Sequence, residues 1–284
     1  GEKTSGRVNM KTGYISDRDG TLITRNERLS DYSLAVLNGL IDRGLSFTYA
    51  TARSLFSAER AVCGLKHTLP VIVYDGALII QPATGEVLHM LSFSGEEKER
   101  LLKALDAFGV SPVVHARENG DDKIFWLEGR ESPGQARYLA RRAQDRRLTP
   151  VHSAPGLCRG DTFFFACNGD YALMKGLHDE LERQGFYCRI YPETYRADSH
   201  WLEILPRGAT KAEAIVRLKN MLGFARAVCF GDSANDSEMF DVCDEKYAVR
   251  NADEWLKGKA TGVVGYCEED GVAKWLAENA FKAE

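Results

Sequence analysis

The stretch Asp17-Arg18-Asp19-Gly20-Thr21 directly follows a short apolar run, Tyr14-Ile15, near the start of the chain. This pattern predicts a β-strand that ends at Asp17 and a turn loosened by Gly20. Open parallel sheets bind their ligands at the carboxyl ends of the strands, so this position favours a functional role for both aspartates. The five residues alone are weak evidence, because Asp-x-Asp-Gly also begins calcium-binding loops and occurs in plain surface turns.

The same arrangement of a strand and a polar turn recurs twice. Thr51-Ala52-Arg53-Ser54 follows a predicted strand at 45–50, and Asp232-Ser233-Ala234-Asn235-Asp236 follows an apolar strand that begins at Ala227. A hydroxyl and free backbone N–H groups at a helix start can bind phosphate oxygens, and clustered carboxylates suit a hard cation such as Mg²⁺. Arg53 could equally be structural, and Asn235 and Asp236 could simply cap a helix.

A fourth polar stretch, Gly208-Ala209-Thr210-Lys211-Ala212-Glu213, contains the Thr-x-x-Glu pattern of a capping box. The pattern places Lys211 in the first turn of a helix, where the helix dipole disfavours a cation. We therefore expect an anion beside Lys211, with a solvent-facing lysine as the alternative.

Strands and helices alternate in the first and last thirds of the chain, which predicts a mostly parallel sheet with helices on both faces. The pattern changes after Tyr74, where a hairpin is followed by mixed strands and helices up to about residue 190. We predict an α/β protein whose core consists of residues 11–79 and 195–284, with an α/β insert at 80–194. Residues 1–10 are expected to be a disordered lead-in.

The composition is typical of a globular enzyme, with 284 residues, 44% of them hydrophobic and 27% charged. A net charge of −4 disfavours nucleic-acid binding, and we interpret the five arginines between Arg137 and Arg147 as a solvated helix face. The seven cysteines show no metal-ligand spacing, so we expect reduced thiols. Without an apolar run of about 18 residues or a signal peptide, we expect a cytoplasmic protein with no membrane partner.

Taken together, the four polar stretches resemble the motifs of the haloacid dehalogenase-like (HAD) hydrolase superfamily. The resemblance is to its Cof-type, sugar-phosphatase-like members with a large α/β cap of the C2 type. It covers nearly the whole chain after residue 11, although the insert matches only in outline. Beyond the four polar stretches, the residues that resemble the family are 74–77, 84–87, 203–206, 248–252 and 269–273. The resemblance implies a Rossmann-like catalytic core and an inserted cap that selects the substrate.

The resemblance also implies how the acidic residues act. Asp17 would attack phosphorus and form an aspartyl-phosphate, while Asp19 would protonate the leaving alcohol and then activate water. Asp17, Asp232 and the backbone carbonyl of Asp19 would bind Mg²⁺, with Asp236 in a supporting position.

The remaining site residues would contact the substrate. By the same resemblance, Thr51, the backbone of Ala52, Lys211 and Asn235 would bind the transferring phosphoryl group. Arg53 would face the substrate entrance. These roles agree with the chemistry, because phosphoryl transfer chiefly needs positioning and neutralisation of the phosphoryl oxygens.

Three residues depart from the family pattern. Arg18 stands where an apolar residue is usual, so its side chain either points away from the core or adds a cation near the site. Asp75 replaces an asparagine and could repel a highly anionic substrate, and Arg250 replaces a glycine that is common before Asn251. None of the three removes a catalytic group, so they bear on the choice of substrate.

The leading hypothesis is therefore a Mg²⁺-dependent phosphatase that acts on a small phosphate monoester, such as a sugar phosphate. One alternative is phosphotransfer between sugar positions, because an alcohol can intercept a phospho-aspartate in place of water. The other is a catalytically idle protein that binds a phosphorylated ligand. The sequence carries no prediction of the leaving group or of the oligomeric state.

Overall fold

The computed structural model describes residues 11–193 and 196–282, so the expected lead-in at 1–10 lies outside the described residues. The strands, in chain order, are β1 (Thr12–Asp17), β2 (Phe47–Ala50), β3 (Val71–Val73), β4 (Leu78–Gln81), β5 (Glu86–Met90), β6 (Val113–Glu118), β7 (Asp121–Leu127), β8 (Leu148–Val151), β9 (Asp161–Gly169), β10 (Tyr187–Glu193), β11 (Arg196–Leu205), β12 (Arg226–Gly231), β13 (Glu245–Ala248) and β14 (Gly262–Val263). The α-helices are α1 (Asp31–Asp42), α2 (Leu55–Ala61), α3 (Gly95–Ala107), α4 (Pro133–Ala140), α5 (Tyr171–Arg183), α6 (Lys211–Leu222), α7 (Ser237–Val242), α8 (Glu254–Lys259) and α9 (Gly271–Asn279).

The described chain separates into two compact units. One comprises residues 11–89 and 209–282, and the other comprises residues 90–208. The insert predicted at 80–194 shares residues 90–194 with the second unit.

The first unit is built on an eight-stranded sheet with the strand order β14-β13-β12-β1-β2-β3-β4-β5. Neighbouring strands are parallel from β14 to β3, and β3 pairs antiparallel with β4. This sheet confirms the predicted α/β, Rossmann-like core. Because parallel strands end at the same edge, the residues that follow β1, β2 and β12 gather there.

The central strands of this sheet are mostly apolar and are buried along nearly their whole length. Residues 227–230 of β12, for example, are at most 1% exposed. Such runs are expected for parallel strands whose two faces are both covered. Helices α1, α2 and α6 of this unit begin at hydroxyl caps; at α1, for example, Ser30 accepts a hydrogen bond from the Ser33 backbone N–H at 2.9 Å.

The second unit contains a six-stranded sheet with the order β10-β11-β9-β6-β7-β8. Its pairs are antiparallel except for β7 and β8. Helices α3 and α5 contact each other, and their apolar faces, including Leu101, Leu105 and Leu177, belong to a core shared with Phe125 and Phe165 of the sheet. The unit is therefore a mostly antiparallel sheet covered by helices.

Helix α4 ends at Ala140. The backbone N–H of Arg142 donates to the carbonyl of Leu139, as in a tighter turn. The Arg142 guanidinium instead bonds the carbonyl of Tyr138, which is the acceptor that a continued α-helix would use for this backbone N–H. The side chain of Arg142 therefore helps to end the helix.

Two smaller expectations concern cysteines and membranes. All seven cysteines are free, and five of them are buried, as predicted. Among the described residues, no helix combines the length and the apolar character needed to cross a membrane.

Candidate active site

A buried lysine joins two carboxylates at the edge of the parallel sheet. Lys211, the first residue of α6, donates from Nζ to Oδ1 of Asp17 at 2.5 Å and to Oδ1 of Asp236 at 2.8 Å. All three side chains are at most 8% exposed. Thr210 caps α6 by accepting from the Glu213 backbone N–H, which places Lys211 in the first turn. The anions expected beside Lys211 are thus provided by the protein itself.

A third carboxylate completes what we call the acid–lysine cluster, which consists of Asp17, Lys211, Asp232 and Asp236. One oxygen from each aspartate lies within 4.8 Å of the others, an arrangement that could hold a metal ion. The second oxygen of Asp236 accepts from the backbone N–H groups of Asp232 at 2.9 Å and Ser233 at 3.3 Å. Both oxygens of Asp236 are therefore engaged by the protein, whereas Asp17 is bonded through Oδ1 alone among the described residues.

The electrostatics of the cluster show a shortage of positive charge. Burial raises the pKa of Asp17 well above its usual value, and the neighbouring Asp236 raises it further, while Lys211 opposes both. Burial, followed by Asp236, raises the pKa of Asp232 to about 6. Burial lowers the pKa of Lys211, but Asp17 and Asp236 outweigh this effect and raise it. Three carboxylates and one ammonium group leave a formal charge of −2, and this oxygen-only donor set fits a hard divalent cation.

The turn after β1 packs directly against Asp232. Gly20 has a φ of +80°, and a Cβ at this position would lie 2.5 Å from Oδ2 of Asp232. Thr21 donates from its hydroxyl to Oδ1 of the same carboxylate at 3.2 Å. The carbonyl of Gly20 accepts from the side chain of Asn251 at 2.8 Å, and Asn251 in turn accepts from the Cys267 backbone N–H. A glycine is required here for the turn to approach the Asp232 carboxylate.

Thr21 and Asn251 were not among the predicted site residues. Both lie in stretches that the sequence singled out, Asp17-Arg18-Asp19-Gly20-Thr21 and 248–252. Their roles depend on contacts across more than 200 positions of sequence, from Thr21 to Asp232 and from Asn251 to Gly20. Spacing along the chain could therefore mark them as members of motifs but could not show which groups they position.

Asp19 is held by two arginines. The Arg18 guanidinium binds the Asp19 carboxylate at 2.9 Å, and Arg53 approaches it at 3.4 Å. Arg18 is almost fully buried and also donates to the carbonyls of Ser57 and Ala58 in α2. Of the two alternatives for Arg18, the structure therefore selects the one in which it adds a cation near the site.

Thr51 and Ala52 lie in the turn after β2. The Thr51 hydroxyl oxygen accepts from the Arg53 backbone N–H at 3.1 Å, which leaves its own O–H available as a donor. The Thr51 carbonyl accepts from the backbone N–H of Asp75. Asp75 is buried at a φ of +50°, and its charge also raises the pKa of Lys211. This fourth acid makes the surroundings of Lys211 still more negative.

Asn235, which was predicted to bind the phosphoryl group, lies outside the acid–lysine cluster. It is exposed, and among the described residues its side chain hydrogen-bonds Ser233. Arg250, one of the three departures, lies over the ring of Tyr266 at 5.7 Å.

Comparisons with known proteins identify the family of the chain. A family model described as haloacid dehalogenase-like hydrolase matches residues 14–276. The chain is 29% identical over 276 residues to the HMP-PP phosphatase of Enterobacter sp. (strain 638), covering 92% of each, and 27% identical over the same span to that of Klebsiella pneumoniae (strain 342).

Solved structures show the same fold. A haloacid dehalogenase-like hydrolase from Bacteroides thetaiotaomicron superimposes with a TM-score of 0.76 at 19% identity, covering 96% of this chain and all of the other. A structure described as a HAD subclass IIB sugar phosphatase superimposes with a TM-score of 0.71 at 19% identity, covering 95% of this chain and 99% of the other.

Proposed function

The chain belongs to the haloacid dehalogenase-like hydrolase family and is a Cof-type phosphatase, and from this premise we propose that it hydrolyses a small phosphate monoester through an aspartyl-phosphate formed on Asp17. We propose a sugar phosphate or a similar metabolite as the substrate and Mg²⁺ as the cofactor. The observation that carries the proposal is the acid–lysine cluster, in which the buried Asp17 carboxylate lies beside a lysine at a strand end and has one oxygen with no partner among the described residues.

The cluster supplies the binding functions that phosphoryl transfer needs. Asp17, Asp232 and the backbone carbonyl of Asp19 would hold Mg²⁺, which when bound would neutralise negative charge on the phosphoryl oxygens. Lys211 would add a second positive charge from the first turn of α6. The Thr51 hydroxyl, the Ala52 backbone N–H and Asn235 would donate hydrogen bonds to the same phosphoryl group.

The chemistry then proceeds in two displacements. An oxygen of Asp17 forms a bond to phosphorus while the bond from phosphorus to the leaving oxygen breaks, and Asp19 gives that oxygen a proton. Asp19 next removes a proton from a water molecule, which attacks the phosphorus of the aspartyl-phosphate and releases Asp17 and inorganic phosphate. Lys211 favours the ionised form of Asp17, because it lowers the pKa that burial raises.

The division of the chain into a catalytic core (11–79 and 195–284) and a substrate-selecting cap (80–194) is part of this proposal. The fold supports it, because the site lies wholly within the first unit and the second unit has its own core. The cytoplasmic location likewise stays a prediction.

A phosphate-release screen tests the proposal. Purified protein with Mg²⁺ should release phosphate from members of a panel of sugar phosphates, nucleotides and phosphorylated cofactors, and addition of EDTA should stop the release. Absence of turnover across the panel would contradict it. A product that carries the phosphoryl group at a new position, without free phosphate, would instead indicate phosphotransfer.

A further inference from the structure

A cleft of about 530 Å³ opens beside Asp19 in the first unit, and its charged lining is mostly arginine. We call it the arginine cleft and define it by its six charged lining residues, which are Arg18, Asp19, Glu27, Arg28, Arg53 and Arg60. Four cations and two acids leave a formal charge of +2. None of the catalytic steps above requires this excess.

The charges in the cleft divide into a set paired through Asp19 and an unpaired set of Arg28, Arg60 and Glu27, in which two cations exceed one acid. Arg18 and Arg53 share the carboxylate of Asp19. Arg28 and Arg60 are exposed, and within the described residues their side chains form no hydrogen bond or ion pair. An arginine that is unpaired beside other cations is repelled by them, so the pair marks a place where an external anion would be stabilised.

The position of Asp19 tells which part of a substrate would lie here. In the proposed mechanism Asp19 gives its proton to the leaving oxygen, so the group attached to that oxygen passes the lining of the cleft. Guanidinium groups bind phosphate oxygens in pairs of parallel hydrogen bonds, so an arginine lining is best suited to a leaving group that itself carries a phosphate.

We propose, on the basis of the proposed function, that the substrate carries a second phosphoryl group on its leaving side and that the arginine cleft binds it. The class includes diphosphates, in which the two groups share an oxygen, and bisphosphates, in which carbon atoms separate them. The cleft thereby selects doubly phosphorylated substrates over simple monoesters.

The two members of the class differ in what the arginines do during the reaction. In a diphosphate, Asp17 bonds to the terminal phosphorus, the bond to the bridging oxygen breaks, and the electron pair remains on the released monophosphate. Arg53, whose side chain is about half exposed beside Asp19, would face this charge as it develops, and the leaving phosphate would depend less on a proton from Asp19 than an alcohol does. In a bisphosphate, the second group is distant from the breaking bond, and the arginines contribute binding alone.

Three small inhibitors test the proposal with p-nitrophenyl phosphate hydrolysis as the reporter, at a fixed concentration of free Mg²⁺. They are methylphosphonate, methylenediphosphonate and propylenediphosphonate, which carry one, two adjacent and two separated phosphoryl groups. We expect one of the two diphosphonates to inhibit with a Ki at least about tenfold below that of methylphosphonate, since each charge-assisted contact contributes about this factor. Preference for methylenediphosphonate identifies a diphosphate substrate, and preference for propylenediphosphonate identifies a bisphosphate.

The double variant Arg28→Gln/Arg60→Gln should lower the ratio of the Ki of methylphosphonate to the Ki of the better diphosphonate about tenfold or more. The matched control, Arg43→Gln/Arg217→Gln, removes the same charge from exposed positions of the first unit outside the cleft and should leave the ratio unchanged. Equal Ki values in the wild type, or an unchanged ratio in the cleft variant, would overturn the inference while phosphatase activity stands. A wild-type protein that hydrolyses neither p-nitrophenyl phosphate nor any member of the phosphate-release panel would overturn both this inference and the proposed function.

Discussion

The acid–lysine cluster and the arginine cleft lie in the same unit and carry opposite imbalances of charge. The cluster is largely buried and has two negative charges in excess, whereas the cleft is open and has two positive charges in excess. A buried imbalance is costly for the fold, so it is tolerated where a ligand completes it. The unbalanced groups, more than the paired ones, therefore indicate where anionic and cationic ligands bind.

The sharpest test of the cluster is Asp17→Asn. This substitution keeps the shape of the side chain and removes the nucleophile, so kcat should fall by at least about 10⁴-fold. Phosphate release at saturating substrate measures the effect, and circular dichroism should show that the variant is folded. Turnover within about tenfold of the wild type would show that Asp17 is not the nucleophile.

Removal of the lysine tests the balance of charge within the cluster. Lys211→Met leaves buried carboxylates without their cation and should lower the free energy of unfolding by about 3–5 kcal/mol. Chemical denaturation in EDTA measures this loss, and Mg²⁺ should recover part of it by replacing the missing charge. The exposed Lys282→Met serves as a control for the loss of one charge. Equal stability of Lys211→Met and the wild type in EDTA would contradict the account of the cluster.

The cluster was largely predictable from the sequence, and the cleft was not. Asp17, Thr51 and Asp232 each follow an apolar strand, and a parallel sheet brings such positions to one edge whatever the rest of the fold does. Lys211 was placed by a local cap, Thr210, which is also visible in the sequence. The cleft depends on the direction of the Arg18 side chain, which is fixed by hydrogen bonds to two carbonyls of α2. The sequence around residue 18 gives no indication of these distant contacts.

The fold shows the same division between local and distant causes. The alternation of strands and helices predicted the parallel core, and the change of pattern after Tyr74 predicted an α/β insert of mixed strands and helices. Strand direction in the second unit was not predictable, because an alternating pattern does not specify which strands pair. The short strands β13 and β14 were also not predicted, since charged residues within β13 and the two-residue length of β14 give no apolar run.

A smaller effect is expected at Asp75, where the family usually has asparagine. Asp75→Asn removes a buried acid whose charge acts on Lys211, so the site should bind phosphate more tightly. A gain of about 1 kcal/mol would lower the Ki of inorganic phosphate roughly fivefold, with little change in kcat. Asp241→Asn, at an exposed position on α7, is the matched control. A higher Ki in Asp75→Asn than in the wild type would show that this acid assists binding.

The smallest expected effect separates the two regions by their response to salt. Charges in the open cleft are screened by dissolved ions, whereas the buried cluster is screened much less. Raising the salt concentration from about 0.05 M to 0.5 M should therefore reduce the preference for the better diphosphonate over methylphosphonate by a few-fold. The free energy of unfolding of Lys211→Met relative to the wild type should change little over the same range. In Arg28→Gln/Arg60→Gln the preference should no longer depend on salt, and a salt dependence equal to that of the wild type would place the second anion outside the arginine cleft.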